Sequence, residues 1–229
     1  MMNMPNSSIE RLELIWNSYK ISERLKGARF DNYIPGSPGQ EKALEKCVAF
    51  TREGVRKIEK GQGLFITGPV GSGKSHLAVA ALHEIVSKNI EQFGFKSESD
   101  IKIYGEPEYH GKLCSVISVV DLLDTLRAGF DSQNGRGKAG SLLSRARTDD
   151  ILILDDIGAE KPSAWVEEQL YALIDIRYRM NRSTIFTTNL SVKELEFNIG
   201  PRSVSRIIDM TEGVKVEGKD WRKKRLSER

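Results

Sequence analysis

The sequence predicts an α/β fold with a mostly parallel central sheet and helices on both faces. Two observations carry this prediction. Short apolar runs that suit buried strands alternate with stretches of helical periodicity: GLFITG (63–68), LCSVISV (113–119), ILILD (151–155), TIFTTN (184–189) and GVKVEG (213–218). Strands spaced by helices form parallel sheets buried on both sides. The first run also leads through a glycine-rich turn into a helix, the setting in which a phosphate-binding loop is built.

Composition bounds the rest. The chain has 229 residues, 39% hydrophobic and 29% charged, with a formal net charge of +3. That length suits one large domain, or one domain with an appendage, and the apolar content excludes a disordered chain. No apolar run approaches the roughly 18 residues of a membrane span. The N-terminus lacks the basic stretch and apolar core of a signal peptide, so a cytoplasmic protein is expected. Cys47 and Cys114 are far apart and outside any CxxC spacing, and the three histidines form no ligand pattern with them.

Residues 1–35 form a short N-terminal segment in which Ile9, Leu12, Ile15 and Trp16 recur at helical spacing. IPGSPGQ (34–40) is a turn-rich break, after which the main domain is expected to run over 36–218. Leu44, Cys47, Val48, Thr51, Val55 and Ile58 then mark one face of a single helix over about 40–60. A helix over 74–88 follows the first strand. The polar stretch 89–112 reads as an insertion, with a hairpin through Ile101, Ile103 and Tyr104. A helix over 120–130 follows the second strand, and SQNGRGKAGS (132–141) has the glycine content of a flexible loop before LLSRAR resumes a helix. Val166, Leu170, Leu173 and Ile174 form a helical stripe, and two short helices separate the fourth and fifth strands. Residues 219–229 are a basic tail.

Gly68-Pro69-Val70-Gly71-Ser72-Gly73-Lys74-Ser75 is a complete G-x-x-x-x-G-K-S phosphate loop between strand and helix, and His76, next in the chain, is expected to bind the nucleotide with it. Glycines let the backbone curl so that N–H groups point at phosphate oxygens, and the helix N-terminus adds a favourable field. Lys74 suits the β- and γ-phosphates of ATP, and the Ser75 hydroxyl suits Mg²⁺. ILILDD supplies the second half of such a site: Asp155 is the expected Mg²⁺ partner, and Asp156 stands where a water-orienting acid is needed. Many such enzymes carry glutamate there. The shorter aspartate implies slow turnover. Asn189, at the tip of the next strand, is placed to hold the attacking water. Arg202 and Arg206 lie four apart on one helix. They read as a solvated face, as partners of a nearby acid such as Asp209, or as an arginine finger for a neighbouring subunit.

Together these residues resemble the AAA+ ATPase domain of bacterial replicative helicase loaders of the DnaC/DnaI class, related to IstB-type helpers of DNA transposition. The carriers are ARFDNYIP, GLFITGPVGSGKSHLAVA, SVVDLLDTLRAGF, ILILDDIGAEKPSAWVEEQLYALIDIRY, IFTTNL, GPRSVSRI and DWRKKRL, from about Arg29 to Leu226. The resemblance implies a P-loop NTPase fold of the AAA+ type, and an ATPase that is slow and stimulated by DNA or assembly. Asn189 matches sensor 1; Arg206 matches the arginine finger, with Arg202 as alternate. The resemblance also implies contact with single-stranded DNA through residues 119–147. Arg127, Arg136, Lys138, Arg145 and Arg147 there are basic, and Phe130 offers a stacking ring. The basic tail reads as a phosphate contact or a solvated end, and Arg222 as a sensor 2 candidate. A replicative helicase is the implied partner, with homo-oligomers in the ATP state. A transposase-recruiting helper and a slow-turnover, ATP-gated DNA adaptor are the alternatives, the short N-terminal segment favouring the first of them.

Overall fold

The computed structural model describes residues 13, 16, 17, 21–93, 112–131, 133–218 and 220, without the side chains of 130–136. The expected hairpin at 101–104, the basic tail beyond 220 with Arg222, and Ile9, Leu12 and Ile15 lie outside them.

Five strands form one all-parallel sheet: β1 (Gly63–Thr67), β2 (Cys114–Ser118), β3 (Ile151–Asp155), β4 (Ser183–Thr188) and β5 (Thr211–Lys215), in the spatial order β2-β3-β4-β1-β5. Side-chain parity explains why the apolar runs are continuous. Leu64, Ile66, Ile153 and Ile185 point to one face and join one buried cluster; Phe65, Leu152, Leu154 and Phe186 point to the other and join a second. The first face is covered by α1 (Pro38–Arg52) and α3 (Lys74–Lys88). The second is covered by α4 (Val119–Asp131), α5 (Gln133–Thr148), α6 (Ala164–Arg179), α7 (Val192–Ile199) and α8 (Pro201–Asp209). This is the α/β P-loop architecture of the AAA+ type. No helix among the described residues is long and apolar enough to cross a membrane.

Three elements depart from the sequence expectation. The single helix over 40–60 is two: α1 ends at Arg52, and α2 (Gly54–Glu59) begins after Glu53, whose φ of −108° and ψ of 18° are not helical. A Cβ on Gly54 would stand 2.6 Å from Ile85 Cγ1, so the chain bends where only glycine lets it approach α3. The glycine-rich stretch 132–141, expected as a loop, belongs to α5. Ala139, Leu142, Leu143 and Ala146 fall at i, i+3, i+4 and i+7 and pack into the second cluster. That burial outweighs the low helix propensity of Gly137 and Gly140. The last strand starts two residues earlier than expected, because Thr211 pairs with Gly63 at the start of β1.

The turn-rich break IPGSPGQ leads into α1, whose first residue, Pro38, lies within it. Ser37 Oγ accepts from the Gln40 N–H at 3.2 Å, and Pro38 takes a first-turn position that needs no donor. Ile21, Ala28 and Tyr33 share the first cluster with α1 and α3, so residues 21–35 are bound into the core. Trp16 is buried with it: its Nε1–H donates to Lys26 O at 3.1 Å and its ring meets His83 of α3 edge-on at 4.8 Å. Phe93 and Lys112, flanking residues 94–111, are joined by a hydrogen bond from Lys112 N to Gln92 O at 2.6 Å.

Candidate nucleotide-binding site

The C-terminal ends of β1, β3 and β4 lie side by side in the sheet, and the chain leaves each of them into a polar turn. This is where open α/β sheets bind ligands. From β1 comes the phosphate loop, from β3 Asp155 and Asp156, from β4 Asn189. A cavity of about 370 Å³ brings Val70, Gly71, Ser72, Gly73, Lys74, Ser75 and His76 together with Asp156 and Asn189. Asp155 stands beside it at the tip of β3 rather than in its lining. Gly68 and Pro69 form the base of the loop: Gly68 N donates to Thr188 O at 3.2 Å, and Lys74 Nζ donates to Pro69 O at 2.9 Å. Lys74 is 5% exposed, so its ammonium is held among loop carbonyls.

The loop is braced from outside by residues that the sequence reading did not single out. Tyr33 OH and Gln40 Nε2 both donate to the Ser72 carbonyl, at 3.2 and 3.0 Å. Gln40 Oε1 meanwhile accepts from Gly36 N at 2.7 Å. Gly73 has φ 98°, and a Cβ there would lie 2.6 Å from the Tyr33 ring. The loop therefore takes a left-handed turn under an aromatic lid that only glycine can fit. His76 Nε2 is 2.8 Å from Arg29 O, and its ring lies 5.3 Å from Tyr33, tying the start of α3 to the N-terminal segment. Arg24, Leu25, Asn32, Tyr33, Ile34, Gln40 and Ala159 complete the cavity wall. A signal existed for part of this: Tyr33 lies within the ARFDNYIP block. Ser37-x-x-Gln40 is a capping-box pattern, which would have assigned the amide to the helix start.

At the second turn, Asp155 Oδ1 accepts from Thr187 Oγ1 at 2.6 Å, and the Asp156 N–H donates to the same Oγ1 at 2.9 Å. Asp156 has φ 57°, in the left-handed region. The residues fit a divalent cation of the Mg²⁺ class. Ser75 and Asp155 offer hard oxygen ligands, and Ser72 Oγ is a buried hydroxyl without a hydrogen-bond partner among the described residues.

The arginines stand elsewhere. Neither Arg202 nor Arg206 lines the cavity. Arg206, on α8, pairs with Asp175 at 2.8 Å, donates to Tyr171 OH at 3.1 Å, and lies over the Tyr171 and Tyr178 rings at 4.8 and 5.8 Å. A nearby acid does pair with it, Asp175, while Asp209 accepts from Tyr178 OH at 2.7 Å. Arg202 is exposed and accepts from Arg206 Nη1 through its carbonyl at 3.3 Å. Of the basic residues expected at DNA, Lys138 and Arg147 are exposed on α5. Arg127 pairs with Asp124 at 3.1 Å and lies 4.9 Å above the Trp165 ring. Arg145 is turned inward, its side chain 16% exposed and its Nε 3.7 Å from buried Asp149, so it is not displayed as the sequence reading expected. The side chains of Phe130 and Arg136 lie outside the described residues.

The chain as a whole is similar to known proteins. The chain is 24% identical over 198 residues to the replicative helicase loader DnaC of Escherichia coli strain K12, covering 86% of this chain and 69% of that protein. It is 22% identical over 227 residues to the replicative helicase loader DnaI of Bacillus subtilis strain 168, covering 93% and 64%. A crystal structure of the DnaC helicase loader superposes with a TM-score of 0.69 at 28% identity, over 86% of this chain and 100% of that one. Residues 106–229, more than half of the sequence, match the model of the IstB-like ATP binding proteins, and the chain belongs to that family.

Proposed function

We propose that this protein is an ATP-dependent, DNA-binding AAA+ ATPase that helps to load a replicative helicase during DNA replication. The observation that carries the reading is the convergence of Val70–His76, Asp156 and Asn189 on one cavity, with Asp155 fixed at the adjoining strand tip. Family membership supports nucleotide binding, and similarity to the helicase loaders DnaC and DnaI supports the loading role.

In this reading the backbone of residues 68–75 and the Lys74 ammonium bind the phosphates of ATP. Ser75 and Asp155 hold Mg²⁺, which neutralises phosphate charge when bound. Asp156 and Asn189 orient the attacking water. Asp156 is one methylene shorter than a glutamate, which keeps turnover slow. Arg206 serves the cavity of a neighbouring copy, with Arg202 as alternate; its position on α8, outside its own cavity, supports a contact made between subunits. Single-stranded DNA is met on α4 and α5, by exposed Lys138 and Arg147 together with Arg127, Phe130 and Arg136. Arg145 contributes through its hold on Asp149.

The test is fluorescence anisotropy of labelled single- and double-stranded oligonucleotides at fixed salt, with ATP, with ADP and without nucleotide. An ATP-dependent preference for single strands is the expected result. A preference for duplex would replace the loader with a transposition helper, and no nucleotide dependence would overturn the coupling altogether. Lys74→Ala is expected to abolish ATP binding. Arg206→Ala is expected to keep ATP binding and lose DNA-stimulated hydrolysis; wild-type hydrolysis by that variant would refute the intersubunit role.

A further inference from the structure

We propose that Thr187 is a positioning residue for this site, a single buried hydroxyl that sets both the Asp155 carboxylate and the Asp156 peptide. The inference rests on the ATPase reading above and adds a part that neither acid can supply for itself.

Thr187 lies on β4 opposite Ile66 of β1 and is 0% exposed, so its hydroxyl must find its partners inside the protein. A threonine hydroxyl has one hydrogen to give. The Asp156 N–H can only donate, and it points at Thr187 Oγ1 from 2.9 Å; the hydroxyl hydrogen is therefore committed to Asp155 Oδ1 at 2.6 Å. One atom thus fixes the orientation of the Asp155 carboxylate through its first oxygen. The same atom holds the Asp156 peptide in a left-handed turn, φ 57°, that a residue with a Cβ adopts only at a cost. The Thr187 carbonyl also accepts from Ile157 N at 2.9 Å. Asp155, Asp156 and Ile157 are in this way all fixed by one residue of the next strand.

A threonine that merely satisfies its own hydroxyl behaves differently. Thr51 donates to Val48 O at 2.8 Å and Thr148 to Ser144 O at 2.8 Å, each a local bond within its helix. Thr187 instead spans 32 residues to a carboxylate. Its neighbour extends the connection to the phosphate loop: Thr188 Oγ1 donates to Ile157 O at 2.7 Å, and Thr188 O accepts from Gly68 N at 3.2 Å. The two polar turns of the site are bolted to one strand tip.

The test compares Thr187→Val, which keeps the shape without the hydroxyl, with Thr187→Ser, which keeps the hydroxyl. A fluorescent ATP analogue is titrated with and without Mg²⁺, and turnover is followed against Mg²⁺ concentration. Affinity without Mg²⁺ is expected to stay within about twofold of wild type in both variants, because the phosphate loop is untouched. The half-saturating Mg²⁺ concentration is expected to rise about tenfold in Thr187→Val, about the loss of one charge-assisted hydrogen bond, and to return to within about threefold of wild type in Thr187→Ser. Equal loss in both variants would show that packing, not the hydroxyl, matters, and would overturn the proposal; so would wild-type Mg²⁺ dependence in Thr187→Val. Should Thr187→Val fail to fold, Thr187→Ala is titrated in its place against the same expectations. A wild-type chain whose ATP affinity ignores Mg²⁺ would overturn the ATPase reading itself, which separates that failure from one confined to Thr187.

Discussion

The brace on the phosphate loop makes a quantitative claim about two side chains that never need to touch nucleotide. Ser72 is 1% exposed, and its carbonyl is served by Tyr33 OH and Gln40 Nε2. Removing one donor leaves the other in place, so each single variant loses a hydrogen bond worth about 1 kcal/mol without orphaning the carbonyl. Removing both leaves a buried acceptor with neither donor, a penalty of about 1–3 kcal/mol that appears only in the double variant. Tyr33→Phe and Gln40→Leu should therefore couple by about 1–2 kcal/mol in a double-mutant cycle. Gln40→Leu is the harsher single change, because it also strips the acceptor from Gly36 N. The loop whose geometry is lost is the one proposed to bind phosphates. Nucleotide affinity should then fall about three- to tenfold in each single variant, and more than multiplicatively in the pair. Urea unfolding measures stability, and titration of a fluorescent ADP analogue measures affinity. Strict additivity in both would refute the shared-carbonyl argument. Unchanged affinity in the double variant would show that the loop keeps its shape without the brace.

Two further outcomes follow from buried cations and rings. Burial, with Arg29 nearby, pushes the His83 imidazole down to about 4. A base whose folded pKa lies below its unfolded value is neutral in the fold and charged in the unfolded chain, so stability is lost as pH falls from about 6.5 towards 4. His83 is only half-buried, which brings the loss to about 1–2 kcal/mol; Trp16 emission, reporting release of the ring from His83, should titrate in that window, and the titration should vanish in His83→Phe. Arg177 is 1% exposed and donates to Ala146 O, Asp149 O, Ser183 O and Thr184 Oγ1 at 2.6–2.9 Å. Arg177→Met should cost about 3–5 kcal/mol in urea unfolding. Nucleotide affinity of the folded fraction should stay near wild type, because these acceptors sit at the end of α5, just before β3, and at the start of β4, a strand length of roughly 17 Å from the cavity.

What the sequence made legible has a common physical character. Strands buried on both faces must be apolar without interruption, so ILILD and GLFITG announce themselves. A phosphate loop must have its glycines and lysine at fixed offsets. Both are local constraints. The brace is not: Tyr33 and Gln40 reach Ser72 across 39 and 32 residues, and nothing in either neighbourhood encodes the meeting. Thr187 is hidden for the same reason, one threonine among several in an apolar run. The helix α5 was obscured by competition between two local signals, glycine content and the spacing of Ala139, Leu142, Leu143 and Ala146, of which only the fold decides the winner. Arg145 and Arg177 show the limit for charges. Arg145, expected at DNA, turns toward buried Asp149, and Arg177, which the sequence did not single out, spends four N–H donors between a helix end and a strand start.

The placement of the N-terminal segment bears on how a partner could be felt at the nucleotide site. Residues 21–36 do not hang from the domain; they supply part of the cavity wall, a donor to the phosphate loop and the carbonyl that meets His76. Trp16 anchors their start, through Lys26 O and the His83 ring, with the Arg29 guanidinium 5.4 Å from the indole. Displacing this segment moves the Tyr33 ring, which packs over Gly73, and strains its bond to Ser72. A ligand that binds the segment in one position and nucleotide that binds the loop in one position therefore share a free energy, and each must change the affinity of the other by the same factor. Under the loading function proposed above, a helicase that grips the chain before residue 21 would act on ATP affinity through Trp16 and Tyr33. Trp16→Ala should then weaken ATP binding without removing any group from the cavity, and should reduce the effect of helicase on that binding. An affinity for ATP that is indifferent to Trp16 would leave the segment a wall and nothing more.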